Sequence, residues 1–245
     1  MAGYDYKAGK ERITTILNND LIVVEQNEIP SDDKFTFENG YYGWVTGIFV
    51  DIRDSTTLFS DEDREKVSKI IRCFTSEVIE ILRDDPKLRE IGIRGDCVYA
   101  IYTTPQKDDI YEAADKTFFI NTYMKMLNKL LKNKGYPTVT VGIGMSTAQD
   151  LVVKAGRKDT GINNKVWIGK AVTRASNLSA LGNKGVFSSI VYSETSYINF
   201  IDHLVKLCGD KAKGWFTRRS DSSNGVYYDA NIIDLDFDKW IESNI

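Results

Sequence analysis

Trp44-Val45-Thr46-Gly47-Ile48-Phe49-Val50-Asp51-Ile52-Arg53-Asp54-Ser55-Thr56 is the stretch on which the architecture turns. Trp44–Asp51 is apolar on both faces, the pattern of a central strand covered from two sides. The apolar run then breaks at a carboxylate, and a polar turn follows at once. An aspartate placed there reaches solvent from a rigid backbone.

Downstream, Ser60 and Asp63 predict a helix start. Val67, Ile70, Ile71, Phe74, Val78, Ile81 and Leu82 keep helical spacing until Pro86. Ile91–Asp96 and Cys97–Thr103 read as two strands meeting at a tight Gly95-Asp96 turn. A second helix, capped by Asp108 or Asp109, runs through Ala113, Phe118, Met124 and Leu131 to Gly135-Tyr136-Pro137. Thr138–Met145 is expected as another buried strand. A polar loop, Gly156–Asn164, leads to Val166–Gly169, a helix from Lys170 to about Leu181, and a strand at Val186–Tyr192. Trp215–Thr217 and Tyr227–Ile233 suggest a closing hairpin around Asn224-Gly225. The order β-α-β-β-α-β predicts an α+β fold with a ferredoxin-like core, an antiparallel sheet with two helices on one face, extended by C-terminal strands and a helix. Residues 1–40 read as an N-terminal extension to a domain spanning 41–245.

The chain of 245 residues is 42% hydrophobic, enough for one substantial core. A net charge of −3 offers no broad basic surface to nucleic acid. The apolar runs are too short to span a bilayer, and Met1–Glu11 lacks a signal-peptide core. The three cysteines, Cys73, Cys97 and Cys208, lie far apart without metal-binding spacing, as expected in a reducing cytoplasm. The lone His203 reads as a surface residue and disfavours zinc or Ser-His-Asp chemistry. Trp215 and Trp240 are expected in the core or a lid.

Carboxylates therefore carry whatever chemistry there is. Asp51 ends the first core strand, and Asp96 sits at the tip of the hairpin that the core topology sets beside it. Either residue alone is ordinary turn chemistry. Together on this element order they form a hard-oxygen pair suited to Mg²⁺ or Mn²⁺ beside a polyphosphate.

The Phe49-Val50-Asp51-Ile52 stretch ending in Ser55-Thr56, the Gly95-Asp96 hairpin and Val166-Trp167-Ile168-Gly169-Lys170-Ala171-Val172 resemble the class III adenylyl/guanylyl cyclase catalytic domain. The likeness spans about Trp44 to Tyr192. It implies closure of a nucleoside triphosphate to a cyclic 3′,5′-monophosphate with two divalent cations, Mg²⁺ or Mn²⁺, held by Asp51, Asp96 and the Ile52 carbonyl. Ser55, Thr56 and neighbouring backbone N–H groups would cradle the triphosphate. The resemblance also implies a head-to-tail homodimer whose two sites each draw on both subunits.

The chain departs from that family in the helix that completes the site. A ribose-orienting Asn and a transition-state Arg are usual there; the matching positions are Thr173 and Asn177. Thr173 retains a hydrogen-bonding hydroxyl, and Asn177 lies one turn on along the same face. The missing cation is sought in Arg174, Lys170, Arg218 or Arg219.

Purine-reading positions differ as well, with Gly92 and Val166 where a Lys and an acceptor are usual. Arg94 shares a strand face with Gly92 and is a donor-only side chain suited to uracil O2 or O4. Tyr41, Tyr42 or Trp44 could narrow the pocket, with sheet-edge packing the plainer role for the tyrosines. With Asn39-Gly40-Tyr41-Tyr42 and Lys154-Ala155-Gly156-Arg157, these features resemble the pyrimidine cyclases of bacterial Pycsar anti-phage systems, and UTP is the expected substrate. A cytidylate cyclase, or a silent nucleotide-binding module on the same fold, remains the alternative reading.

Overall fold

The computed structural model describes residues 3–61, 63–158 and 160–245, the side chains of Phe59 and Asp61 excepted; Asp159, inside the expected polar loop, lies outside them. The core runs β2 (Asn39–Ile52), α2 (Ser55–Asp61), α3 (Arg64–Arg83), β3 (Leu88–Arg94), β4 (Cys97–Thr103), α4 (Lys107–Asn133) and β5 (Val141–Gly156). Ahead of it stand α1 (Tyr6–Asn18) and β1 (Ile22–Glu25). After it come β6 (Asn163–Ile168), α5 (Lys170–Ser179), β7 (Ile190–Ser193), α6 (Glu194–Cys208), β8 (Phe216–Asp221), β9 (Gly225–Ala230) and α7 (Leu235–Asn244).

Among the described residues the strands make one sheet in the order β3-β4-β2-β5-β7-β9-β8, with β1 beside β2 and β6 beside β5. Strand β2 pairs antiparallel with both β4 and β5, which is the expected ferredoxin-like core. The expected strands at the ends of that core are longer in the structure. Strand β2 begins at Asn39, where it pairs in parallel with β1, and β5 continues to Gly156, where β6 takes it as a partner.

The two faces of the sheet are covered differently. On one face Ile48, Val50 and Ile52 pack with Ile70, Phe74, Val78 and Leu82 of α3 and with Phe118, Met124 and Leu127 of α4. These α3 positions share one face of the helix, as their spacing of four residues requires. Tyr102 of β4 donates to the Leu82 carbonyl at 2.6 Å, and Tyr123 of α4 donates to the Cys73 carbonyl at 2.8 Å. Each buried hydroxyl is satisfied and ties one element to the next.

The helix starts differ from expectation in detail. Ser60 lies within the short α2, and Asp63 is the N-cap of α3, accepting from the Glu65 N–H at 2.8 Å. Helix α4 begins after Gln106, whose N–H donates to the Asp109 carboxylate at 2.8 Å. Helices α6 and α7, like the short α2, lie beyond the expected order. Helix α6 buries Phe200, Ile201 and Leu204, and the shorter α7 buries Ile241. Trp215 and Trp240 are 39% and 51% exposed, so neither is a core residue.

On the opposite face Val45, Ile101, Val152 and Ala171 form a smaller cluster with Ile29 and Phe35. Helix α5 lies there directly on backbone. A Cβ at Gly144 would come within 2.1 Å of the Ala175 carbonyl oxygen, and one at Gly142 within 2.0 Å of that of Ser179. Only glycine at these strand positions admits the helix.

Candidate active site

Asp51 lies at the end of β2, opposite Cys97 of β4 and Gly142 of β5. Asp96 directly precedes Cys97, so the hairpin tip brings the second carboxylate to the end of the strand that bears the first. Asp51 titrates above the usual carboxylate range. Burial is the main cause, Arg53 opposes it, and the charge of Asp96 adds to it. The neighbouring Cys97 thiol is pushed up to about 12, first by burial and then by Asp51. Two carboxylates whose charges oppose each other form a place for a cation.

A cation of the chain itself already leans on this place. Arg53 pairs with the Asp51 carboxylate and donates to the Ala180 carbonyl at 3.0 Å, beyond the end of α5. Asp54, between β2 and α2, takes φ +53°, a left-handed conformation that aspartate tolerates better than most residues. That turn sets Ser55 and Thr56 as the first residues of α2. Ile52 buries its side chain in the main core, which fixes the backbone between the turn and Asp51.

The donor set suits hard divalent ions. Among the described residues no group of three or more His, Cys, Asp or Glu side chains could hold a metal. Asp51 and Asp96 would therefore share an ion with backbone oxygen, such as the Ile52 carbonyl, and with oxygens of the substrate.

Helix α5 carries Thr173 and Asn177 on its exposed side. The Thr173 hydroxyl donates to the Gly169 carbonyl at 3.1 Å. The start of the helix is held by Asp150 of β5, fully buried, which accepts from the Ala171 N–H at 3.1 Å. Asp150 was absent from the sequence-based site; a lone acidic residue on a strand carries no signal until the helix it meets is known. Arg174 is committed to the β8–β9 hairpin, donating to the Val226 carbonyl at 2.7 Å and to that of Asn224. Arg219 pairs with Asp229 and donates to the Val186 carbonyl at 2.9 Å. Arg218 and Lys170 are exposed.

Gly92 pairs with Tyr99 and Arg94 with Cys97 across β3 and β4. Cross-strand partners share a face, so Arg94, Cys97 and Asp51 form one row across three strands. Arg94 is exposed on that row. Tyr42 is half-buried near the start of β2, far along the strand from Asp51 and opposite Leu151. Val166 of β6 pairs with Val153 and is exposed.

Comparison with known proteins bears on the family and the fold. Residues 37–198 match the adenylate and guanylate cyclase catalytic domain family. The chain is 52% identical over 242 residues to a uridylate cyclase of Treponema porcinum, covering 99% of this chain and 82% of that protein. It is 28% identical to a uridylate cyclase of Gulbenkiania mobilis, with 98% and 97% covered. In fold it is similar to the adenylyl cyclase CyaB from P. aeruginosa, at a TM-score of 0.61 and 20% identity, over 78% of this chain and 95% of the other. A class III adenylyl cyclase-like ATP-binding protein from Pseudomonas aeruginosa gives a TM-score of 0.67 at 16% identity, over 96% of this chain and 48% of that one. The chain belongs to the adenylate and guanylate cyclase catalytic domain family.

Proposed function

We propose that this protein is a uridylate cyclase, converting UTP to cyclic 3′,5′-UMP and pyrophosphate. The observation that carries the reading is the 52% identity, over nearly the whole chain, to the uridylate cyclase of Treponema porcinum. The ribose 3′-oxygen attacks the α-phosphorus as the bond from that phosphorus to the bridging oxygen of pyrophosphate breaks. Asp51, Asp96 and the Ile52 carbonyl would hold the two divalent cations, Mg²⁺ or Mn²⁺, on which this family typically depends. When bound, these ions lower the pKa of the attacking hydroxyl and neutralise charge on the leaving group.

The remaining work falls to the chain. The backbone at Ser55 and Thr56 receives the triphosphate, Thr173 and Asn177 orient the ribose, and Arg94 donates to a uracil carbonyl. Class III cyclases act as dimers, and here Thr173 and Asn177 would complete the site of the partner subunit. Lys170 and Arg218 are exposed and form no ion pair among the described residues, so they suit the role of transition-state cation better than Arg174, whose guanidinium is engaged. Production of a cyclic nucleotide messenger in anti-phage signalling is the setting this reading implies. Among the described residues no helix is long and apolar enough to cross a membrane.

The test is incubation of the purified protein with each of the four ribonucleoside triphosphates and Mn²⁺, with products identified by mass spectrometry. Cyclic UMP as the main product supports the reading. Chiefly cyclic CMP, cyclic AMP or cyclic GMP overturns it.

A further inference from the structure

Gly92 of β3 is roofed by an aromatic ring from the neighbouring strand. A Cβ at position 92 would meet Cζ and Oη of Tyr99 at 2.8 Å each, so no side chain fits there while the ring keeps its place. That ring is fixed at both its edge and its face. Tyr99 donates to one carboxylate oxygen of Glu90 at 2.8 Å, and the Trp167 indole donates to the other at 2.7 Å. The Phe49 ring lies nearly parallel to it, with centroids 5.3 Å apart and planes at 16°. Burial, then the hydrogen bond to Glu90, pushes the Tyr99 hydroxyl up to about 12, so it stays a donor across the neutral range.

Glu90, Gly92 and Tyr99 line a cavity of about 680 Å³. Tyr99 stands two residues along β4 from Cys97, the strand partner of Asp51. With a side-chain period of two, Tyr99, Cys97 and Asp51 face the same side of the sheet. The cavity therefore borders the face that carries the carboxylate. An aromatic ring over a strand glycine is also a packing device. Packing alone does not call for a carboxylate aligned between a phenol and an indole drawn from two different strands. That arrangement holds the ring against rotation with charge-assisted hydrogen bonds.

We infer that Tyr99, clamped by Glu90 and Trp167, is the wall that sizes the base compartment for a single pyrimidine ring. The inference rests on the uridylate cyclase reading and adds to it the residue that excludes purines. Selection comes from a rigid obstacle, because the space that a larger base needs is filled and its filler cannot swing aside.

The experiment measures kcat/KM for UTP, ATP and GTP with Mn²⁺ in the full-length wild type and in Tyr99→Ala, Tyr99→Phe and Glu90→Gln. Circular dichroism establishes that each variant is folded. Removing a wall of ring size should raise the purine-to-uridine ratio of kcat/KM in Tyr99→Ala by about tenfold or more. Glu90→Gln turns an amide N–H₂ toward either Trp167 or Tyr99, and Tyr99→Phe deletes the hydroxyl; both should shift the ratio in the same direction by less. An unchanged ratio in folded Tyr99→Ala overturns the inference. If that variant does not fold, unchanged ratios in both Glu90→Gln and Tyr99→Phe overturn it. Absence of cyclic UMP from the wild type is a different result, which sinks the cyclase reading itself.

Discussion

Arg53 reaches back two residues to pair with Asp51, and the same guanidinium donates to the Ala180 carbonyl at 3.0 Å. Its side chain is only 13% exposed against 31% for Asp51, so water screens the pair weakly. Arg53 thus serves as a counter-charge to a carboxylate that burial and Asp96 both disfavour. Asp51 must ionise to bind a cation, and Arg53 favours that ionised form. Arg53→Gln is therefore expected to move the acid limb of the activity profile to higher pH. Initial rates across pH 5–9 at saturating Mn²⁺ measure the shift; an unmoved limb would remove Arg53 from this role.

Either carboxylate is expected to be indispensable for turnover. Asp51→Asn and Asp96→Asn should each lower kcat by about a hundredfold or more, since metal-assisted stabilisation of the developing charge is worth several kcal/mol. Chelation with EDTA should silence the wild type, and added Mn²⁺ should restore it. Full activity in either variant contradicts the two-carboxylate site.

The same Asp51→Asn change should stabilise the metal-free protein. A carboxyl whose folded pKa is raised contributes stability while protonated and loses it as pH rises through that pKa. Above that pKa ionised Asp51 carries a cost, which asparagine avoids. Thermal unfolding in EDTA is expected to show a higher Tm for Asp51→Asn at pH 7. The difference should shrink toward zero as pH falls below about 4, where the unfolded carboxyl is also protonated. A lower Tm at pH 7 would mean that the lost pairing with Arg53 outweighs the relief.

Mixing experiments address the shared site. Asp51→Ala and Thr173→Ala homodimers should each be impaired, and a mixture allowed to exchange subunits should regain activity, because the mixed dimer retains one intact composite site. No recovery despite exchange verified by mass spectrometry contradicts the dimeric arrangement.

Two substitutions test the scaffold. Asp63→Ala removes the α3 cap and is expected to cost about 1 kcal/mol, read as a Tm loss of roughly 2–4 °C for a domain this size. Gly144→Ala drives a methyl against the Ala175 carbonyl oxygen and should cost about 1–3 kcal/mol or more. An equal or smaller loss at Gly144 than at Asp63 would mean that α5 yields where its backbone contact suggests it cannot.

The β-α-β-β-α-β order was legible because α3 and α4 carry helical periodicity and β2 is apolar on both faces, as a central strand covered from two sides must be. Asp51 and Asp96 stood out for a related reason: each ends an element whose position the topology determines. Helix α6 also had a readable pattern, since Tyr197, Phe200, Ile201 and Leu204 follow helical spacing behind the Ser193 cap. Other features depend on contacts that no local pattern encodes. Glu90 and Trp167 are 77 residues apart in sequence, and their hydrogen bond follows from the pairing of β6 with the far end of β5. The engagement of Arg174 by the β8–β9 hairpin is equally non-local, arising about 50 residues downstream of the helix that bears it.

The seating of α5 on Gly142 and Gly144 has a mechanical consequence. A helix cushioned by side chains can tilt or slide as rotamers change, because the layer beneath it is deformable. This helix rests on bare backbone and is pinned at its start by the buried Asp150. Thr173 and Asn177 therefore move with their own sheet as one solid piece. In the proposed dimer, the gap between them and the opposing Asp51 can change only as two rigid halves pivot on each other. Any input that tunes this enzyme would work as a hinge between subunits, with each subunit acting as a lever rather than a spring.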